Sequence, residues 1–105
     1  MAVFGKRLKE ARKAAGIPQD RLGVLIGLDE HTASARMSRY ETGVHQPSIQ
    51  TALLIAQQLS VPLAYLYCDD DRIAHVLLRL KTLTEQDMTY LESWLEEKFG
   101  VTNQS

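Results

Sequence analysis

The chain is poor in the residues that most often carry chemistry. It has one cysteine, Cys68, which excludes an intrachain disulfide framework. Cys68 is followed by Asp69, Asp70 and Asp71, so its surroundings are not electropositive and do not favour a sensor thiolate. The three histidines, His31, His45 and His75, have no metal-ligand spacing, and no metal is expected. There is no glycine-rich phosphate loop and no assembled Ser/His/Asp set. The carboxylates crowd toward the C-terminus without a nucleophile beside them. Neither catalysis nor a cofactor is expected. No run approaches the ~18 apolar residues of a membrane span. The opening MAVFGKRLKEARK lacks the apolar stretch that follows the charges of a signal peptide. These absences together point to a cytoplasmic protein. Strand alternation, repeats and low-complexity segments are absent as well, so an all-α fold is expected.

What is present divides unevenly. The 105 residues carry a net charge of −1. Residues 1–68 hold eight Lys/Arg against five acids, and residues 69–105 hold four against eight. The first part suits a polyanion and the second would be repelled by one. The run Cys68-Asp69-Asp70-Asp71 reads as a hinge between a domain over residues 1–68 and an acidic extension over 69–105. A chain this short buries a small core, so an oligomer interface would help stabilise it.

Apolar spacing predicts seven helices. The first runs from Phe4 to Ala15, with Phe4, Leu8, Ala11 and Ala15 inward, and ends at Gly16. The second starts near Pro18 and ends at Gly27, with Leu22, Leu25 and Ile26 at helical spacing. The third starts between Asp29 and Ala33 and stops before Gly43. Ser48 caps the fourth, which reaches Leu59 with Ile49, Leu53, Ala56 and Leu59 inward. A short fifth helix covers Pro62 to Tyr67. Asp71 is a cap for a sixth ending at Lys81. Thr84 and Asp87 make a capping-box pattern before a seventh helix over Glu85–Phe99, and Val101–Ser105 is expected to fray.

The stretch QDRLGVLIGLDEHTASARMSRYETG, Gln19 to Gly43, is the most telling. Its second helix has Ala33, Met37 and Tyr40 on one face and Thr32, Ala35, Arg36 and Arg39 roughly opposite. A short helix with an apolar back and a cationic, small-residue front can lie in a DNA major groove. Arg39 is placed to contact guanine, and Arg36 to touch phosphate. Ala35 can meet a thymine methyl. Ser34 and Ser38 can hydrogen-bond bases or phosphates. The competing reading of the two arginines is an ordinary solvated face.

Over residues 5–68 the ordered pieces GKRLKEARKAAGIPQDRLG, MSRYETG and PSIQTALLIAQQLSVPLAYLY resemble the lambda-repressor-like, Cro/Xre family of helix-turn-helix transcriptional regulators. The resemblance implies a five-helix DNA-binding domain, here with two additional C-terminal helices. It also implies a dimer bound to a near-palindromic operator in double-stranded DNA. It implies that Gln19 contacts phosphate and that Arg12 pairs with Glu41. The groove-reading positions it implies fall on Ser34, Ala35 and Arg39, with Arg36 between them.

The chain departs from that family in three places. Asp29-Glu30-His31-Thr32 is inserted between Gly27 and the third helix. These four residues could lengthen the turn, but with Asp29 as cap they are expected to lengthen that helix by ~6 Å, carrying His31 and Thr32 to new DNA contacts. The loop Val44-His45-Gln46 lacks the Lys or Arg common in relatives. The acidic extension lies outside the family core. Its Leu77, Leu80, Leu91, Trp94 and Leu95 suggest a homodimer interface, with no membrane contact. Two further readings stay open: an antitoxin whose acidic helices engage a protein partner, and a protein-interaction module without DNA binding.

Overall fold

In a computed structural model of the protein, residues 3–100 are described. They form α1 (Val3–Ala14), α2 (Gln19–Leu25), α3 (Ala33–Thr42), α4 (Ile49–Leu59), α5 (Leu63–Tyr67), α6 (Asp71–Leu80) and α7 (Glu85–Phe99), with no strand among the described residues. The all-α expectation with two added C-terminal helices therefore stands. The fraying expected of Val101–Ser105 lies outside the described residues.

One apolar core joins the helices. Phe4, Leu8 and Ala11 of α1 meet Leu22 and Ile26 from α2 and its C-cap, Met37 and Tyr40 of α3, Ile55 and Leu59 of α4, and Tyr65 and Leu66 of α5. Ala74 of α6 is fully buried in the same cluster. The helix caps follow local chemistry. The Ser48 hydroxyl accepts from the Thr51 amide, and Thr84 with Asp87 completes a reciprocal capping box. At α6 the cap is Asp70, whose carboxylate accepts from the Ile73 amide. Asp71 instead lies in the first turn, where its charge suits the helix dipole.

Some inward assignments differ. Ala15 and Leu25 are exposed, and so are Ile49 and Leu53. The buried stripe of α4 is Ala52, Ile55, Ala56 and Leu59, one row round from the expected one. Alanines at positions 52 and 56 let α4 approach the core closely, which turns the bulkier neighbouring row outward.

The expected extension of α3 does not occur. The helix begins at Ala33, and residues 29–32 form an ordered turn. The Asp29 carboxylate accepts from the His31 amide at 2.8 Å, and its carbonyl accepts from the Thr32 amide at 3.0 Å. An aspartate that satisfies the backbone two residues on favours a turn over helix initiation. Thr32 is the N-cap residue but makes no side-chain cap bond. The inserted residues lengthen the turn.

The start of α3 is also set by packing. A Cβ on Gly23 would lie 2.6 Å from the Ala33 Cβ, so the two helices cross where neither has a larger side chain. Gly27, at φ +97°, turns the chain after α2 in a conformation other residues rarely adopt. Gly23→Val is therefore expected to destabilise the fold by about 1–3 kcal/mol through overpacking at this crossing. Denaturant titration checks it, and an unchanged midpoint would show that the helices part freely.

Candidate nucleic-acid interface

The outward face of α3 is the front predicted from spacing. Ala33, Met37 and Tyr40 are buried, while Ser34, Ala35, Arg36 and Arg39 are exposed and Ser38 is half-buried. Arg36 and Arg39 have no ion-pair partner among the described residues, so both guanidiniums are available to an anion. His31 and Thr32 are exposed on the turn that leads into the helix, not on the helix itself.

A buried polar network holds α3 in place. The side chains of Arg12 and Glu41 are 11% and 4% exposed and form an ion pair through Arg12 Nε. Arg12 Nη2 donates to Glu41 Oε1 at 3.2 Å, and Nη1 donates to the Ile17 carbonyl at 2.9 Å. The implied Arg12–Glu41 pair is thus present, and it clamps α1 to the end of α3.

Gln19 belongs to this network. Its Nε2 donates to Glu41 Oε1 at 3.0 Å, and its Oε1 accepts from the Ser34 hydroxyl at 3.4 Å. Half-buried at the first position of α2, Gln19 bridges the two helices of the motif and retains one amide N–H for another acceptor. Sequence reasoning missed this internal role, because a contact between residues 19 and 41 has no local periodicity.

It also missed Arg7. This side chain is 2% exposed. Its Nε donates to the Cys68 carbonyl at 2.9 Å, and its Nη2 donates to Asp71 at 2.9 Å. The guanidinium carbon stands 5.8 Å from the Tyr65 ring centroid. The spacing did hold a signal, since Arg7 is three residues after Phe4 and four before Ala11, on the buried stripe of α1. Desolvation works against the Arg7 charge, but Asp71 and Glu10 outweigh it and raise its pKa. Hydrogen bonding from Arg7, aided by Lys6, lowers the Asp71 pKa below its ordinary value. Burial, with Glu10 close by, raises that of Tyr65.

A short helix held by a packed partner helix, with free cations on its outer face, is the geometry of the helix-turn-helix class of DNA-binding regulators. A helix-turn-helix family model matches residues 8–66, more than half of the chain, and the protein belongs to this family of transcriptional regulators. The fold is similar to that of the transcriptional regulator BswR, with a TM-score of 0.85 and 44% identity. That match covers 89% of this chain and 92% of the other. The sequence is 30% identical over 94 residues to the protein named "Putative HTH-type transcriptional regulatory protein MJ1164" of Methanocaldococcus jannaschii. The match takes in 85% of this chain and 28% of that protein, so the chain spans less than a third of that relative's length. No helix among the described residues is long and apolar enough to cross a membrane.

Proposed function

We propose that this protein is a cytoplasmic repressor that binds a near-palindromic operator as a homodimer, with α3 in the major groove. The observation that carries the reading is the unpaired, exposed pair Arg36 and Arg39 opposite the buried Ala33, Met37 and Tyr40. Arg39 donates to guanine, and Ser34, Ala35 and Ser38 meet neighbouring base edges or phosphates. Arg36 and the remaining N–H of Gln19 grip phosphate. His31 and Thr32 reach the backbone from the turn. Regulation is by occupation of the operator, with no catalytic step and no cofactor.

Residues 69–105 are the dimerisation element in this reading. On α6, Ile73 and Val76 are 55% and 54% exposed, on a face that Ala74 does not share. On α7 no residue is buried, and Trp94 and Phe99 lie open. This much apolar surface on two helices marks an association site.

The test is selection of bound sequences from a random duplex pool, followed by Arg39→Ala. The variant is expected to lose about 1–3 kcal/mol on the selected operator and to relax preference at one base pair per half-site. Equal loss on operator and random DNA would reduce Arg39 to a phosphate contact. Failure of the wild type to retard any duplex at low salt would favour a protein-interaction module.

A further inference from the structure

The outer face of α6, opposite the buried Ala74, combines apolar and cationic side chains. Ile73 and Val76 are 55% and 54% exposed there. Arg72 stands one turn before Val76 and Arg79 one turn after it, so both arginines border it on the same face. Both are exposed, and neither has an ion-pair partner among the described residues. A concavity of about 360 Å³ lies on this face, lined by Asp70, Arg72, Ile73 and Val76. Asp70 accepts from the Ile73 amide as the helix cap, and Asp71 accepts from Arg7 on α1, so neither pairs with the two arginines.

The pattern on α7 is complementary. Met88, Leu91 and Leu95 make an apolar stripe at helical spacing. Glu85 and Glu92 border it, three residues before Met88 and three before Leu95. Both carboxylates are exposed and unpaired among the described residues. The helix buries none of its residues. The protein is correspondingly long, 53 × 27 × 22 Å, with a radius of gyration of 16.1 Å, against about 13 Å for a compact chain of this length.

We infer that the outer face of α6 receives the acidic, apolar face of α7 from a second copy of this chain. The inference rests on the homodimer proposed above and specifies how that dimer is built. Within one chain both faces stay open. Arg72 and Arg79 are seven residues apart, as are Glu85 and Glu92. One alignment of the two helices therefore sets Arg72 against Glu85 and Arg79 against Glu92 of the other copy.

Charge selects this pairing over its rivals. The seventh helix carries Glu85, Asp87, Glu92, Glu96 and Glu97 against Lys98 alone, so two α7 helices side by side would repel. Two α6 helices face to face would bring their arginines together. Packing α6 on α7 joins stripe to stripe with opposite charges along the border. The contact occurs twice about a two-fold axis, as an isologous dimer requires.

The experiment uses the full chain and two charge reversals at exposed positions, Arg79→Glu and Glu92→Arg. Sedimentation is expected to show each variant's dimer dissociation constant raised by about tenfold or more, because like charges then meet at both contacts. Mixing the two variants in equal amounts is expected to restore dimers of near wild-type affinity. In the mixed dimer the α6 of one variant meets the α7 of the other, so opposite charges face each other at both contacts. A contact made within one chain would leave the mixture as weak as its components. Arg72→Glu mixed with Glu85→Lys is an independent repeat, and a thermal melt of each variant verifies folding. Folded single variants with unchanged dimer affinity, or mixtures no tighter than their components, would overturn this contact while leaving the dimer standing. A wild type that stays monomeric at high micromolar concentration would overturn the dimer and the contact together.

Discussion

Arg12→Ala is expected to lower the unfolding free energy by about 3–5 kcal/mol, because it leaves the Glu41 carboxylate buried without its cation. Glu41 is 4% exposed, and Gln19 alone offers it a remaining donor. Denaturant unfolding at fixed protein concentration measures the loss. The loss should be mostly a penalty for the orphaned charge. Arg12→Met combined with Glu41→Leu should therefore recover much of the stability that the single variant loses. A loss below about 1 kcal/mol for Arg12→Ala would mean that water reaches Glu41. Operator binding by the double variant is a separate readout. The Ile17 carbonyl and Gln19 both lose a partner there, so α2 and α3 should be less firmly held and DNA affinity should stay low even as stability returns.

Arg7→Ala is the second large effect, expected at about 2–4 kcal/mol. It empties a fully buried volume and removes the donor to the Cys68 carbonyl. The Asp71 side chain is 64% exposed, so unlike Glu41 it returns to water when its partner goes. The cost of Arg7→Ala should therefore arise mainly from packing and the carbonyl. Arg7→Met, which keeps most of the volume, should cost visibly less than Arg7→Ala. Acid should reproduce only the Asp71 share. Its folded pKa is lowered from the ordinary 3.8. That stabilisation is present above pH 3.8 and is lost as the pH falls through the lower folded value. Arg7→Met should thus flatten the acid limb of the stability profile, and an unchanged limb would show that the ion pair contributes nothing. Because Arg7 joins α1 to the start of α6, the same variants should loosen the C-terminal extension and, if the dimer proposed above forms through it, make dimer affinity fall.

Most of the fold was legible because it follows from local rules. The glycine after α2, the serine before α4 and the Thr84/Asp87 box each act within a few residues of their own position, and each falls where the spacing predicted. The division of α3 into a buried and an exposed face was legible for the same reason. Ala33, Met37 and Tyr40 define the back of α3, which leaves Arg36 and Arg39 in front. What was not legible depended on neighbours distant in the chain. The α4 stripe could be read through Ile49 and Leu53 or through Ala52 and Ile55, and only the close approach of α4 to the core selected the second.

The sequence by itself determined the helical class, the order of the elements, the ends of most helices and the cationic front of α3. Periodicity and capping are properties of short segments, and these segments agree with the fold they enter. Tertiary structure alone decided three things. It placed Asp29–Thr32 in a turn, because Asp29 satisfies nearby amides while Ala33 is pinned against Gly23. It made Gln19 a bridge between α2 and α3 and buried Arg7 beneath the start of α6. It left α7 with no buried side chain. The Gln19 bridge and the partners of Arg7 are contacts between residues far apart in sequence, which no local pattern encodes, and at residues 29–32 the contact of Ala33 with Gly23 acts together with the local hydrogen bonds of Asp29.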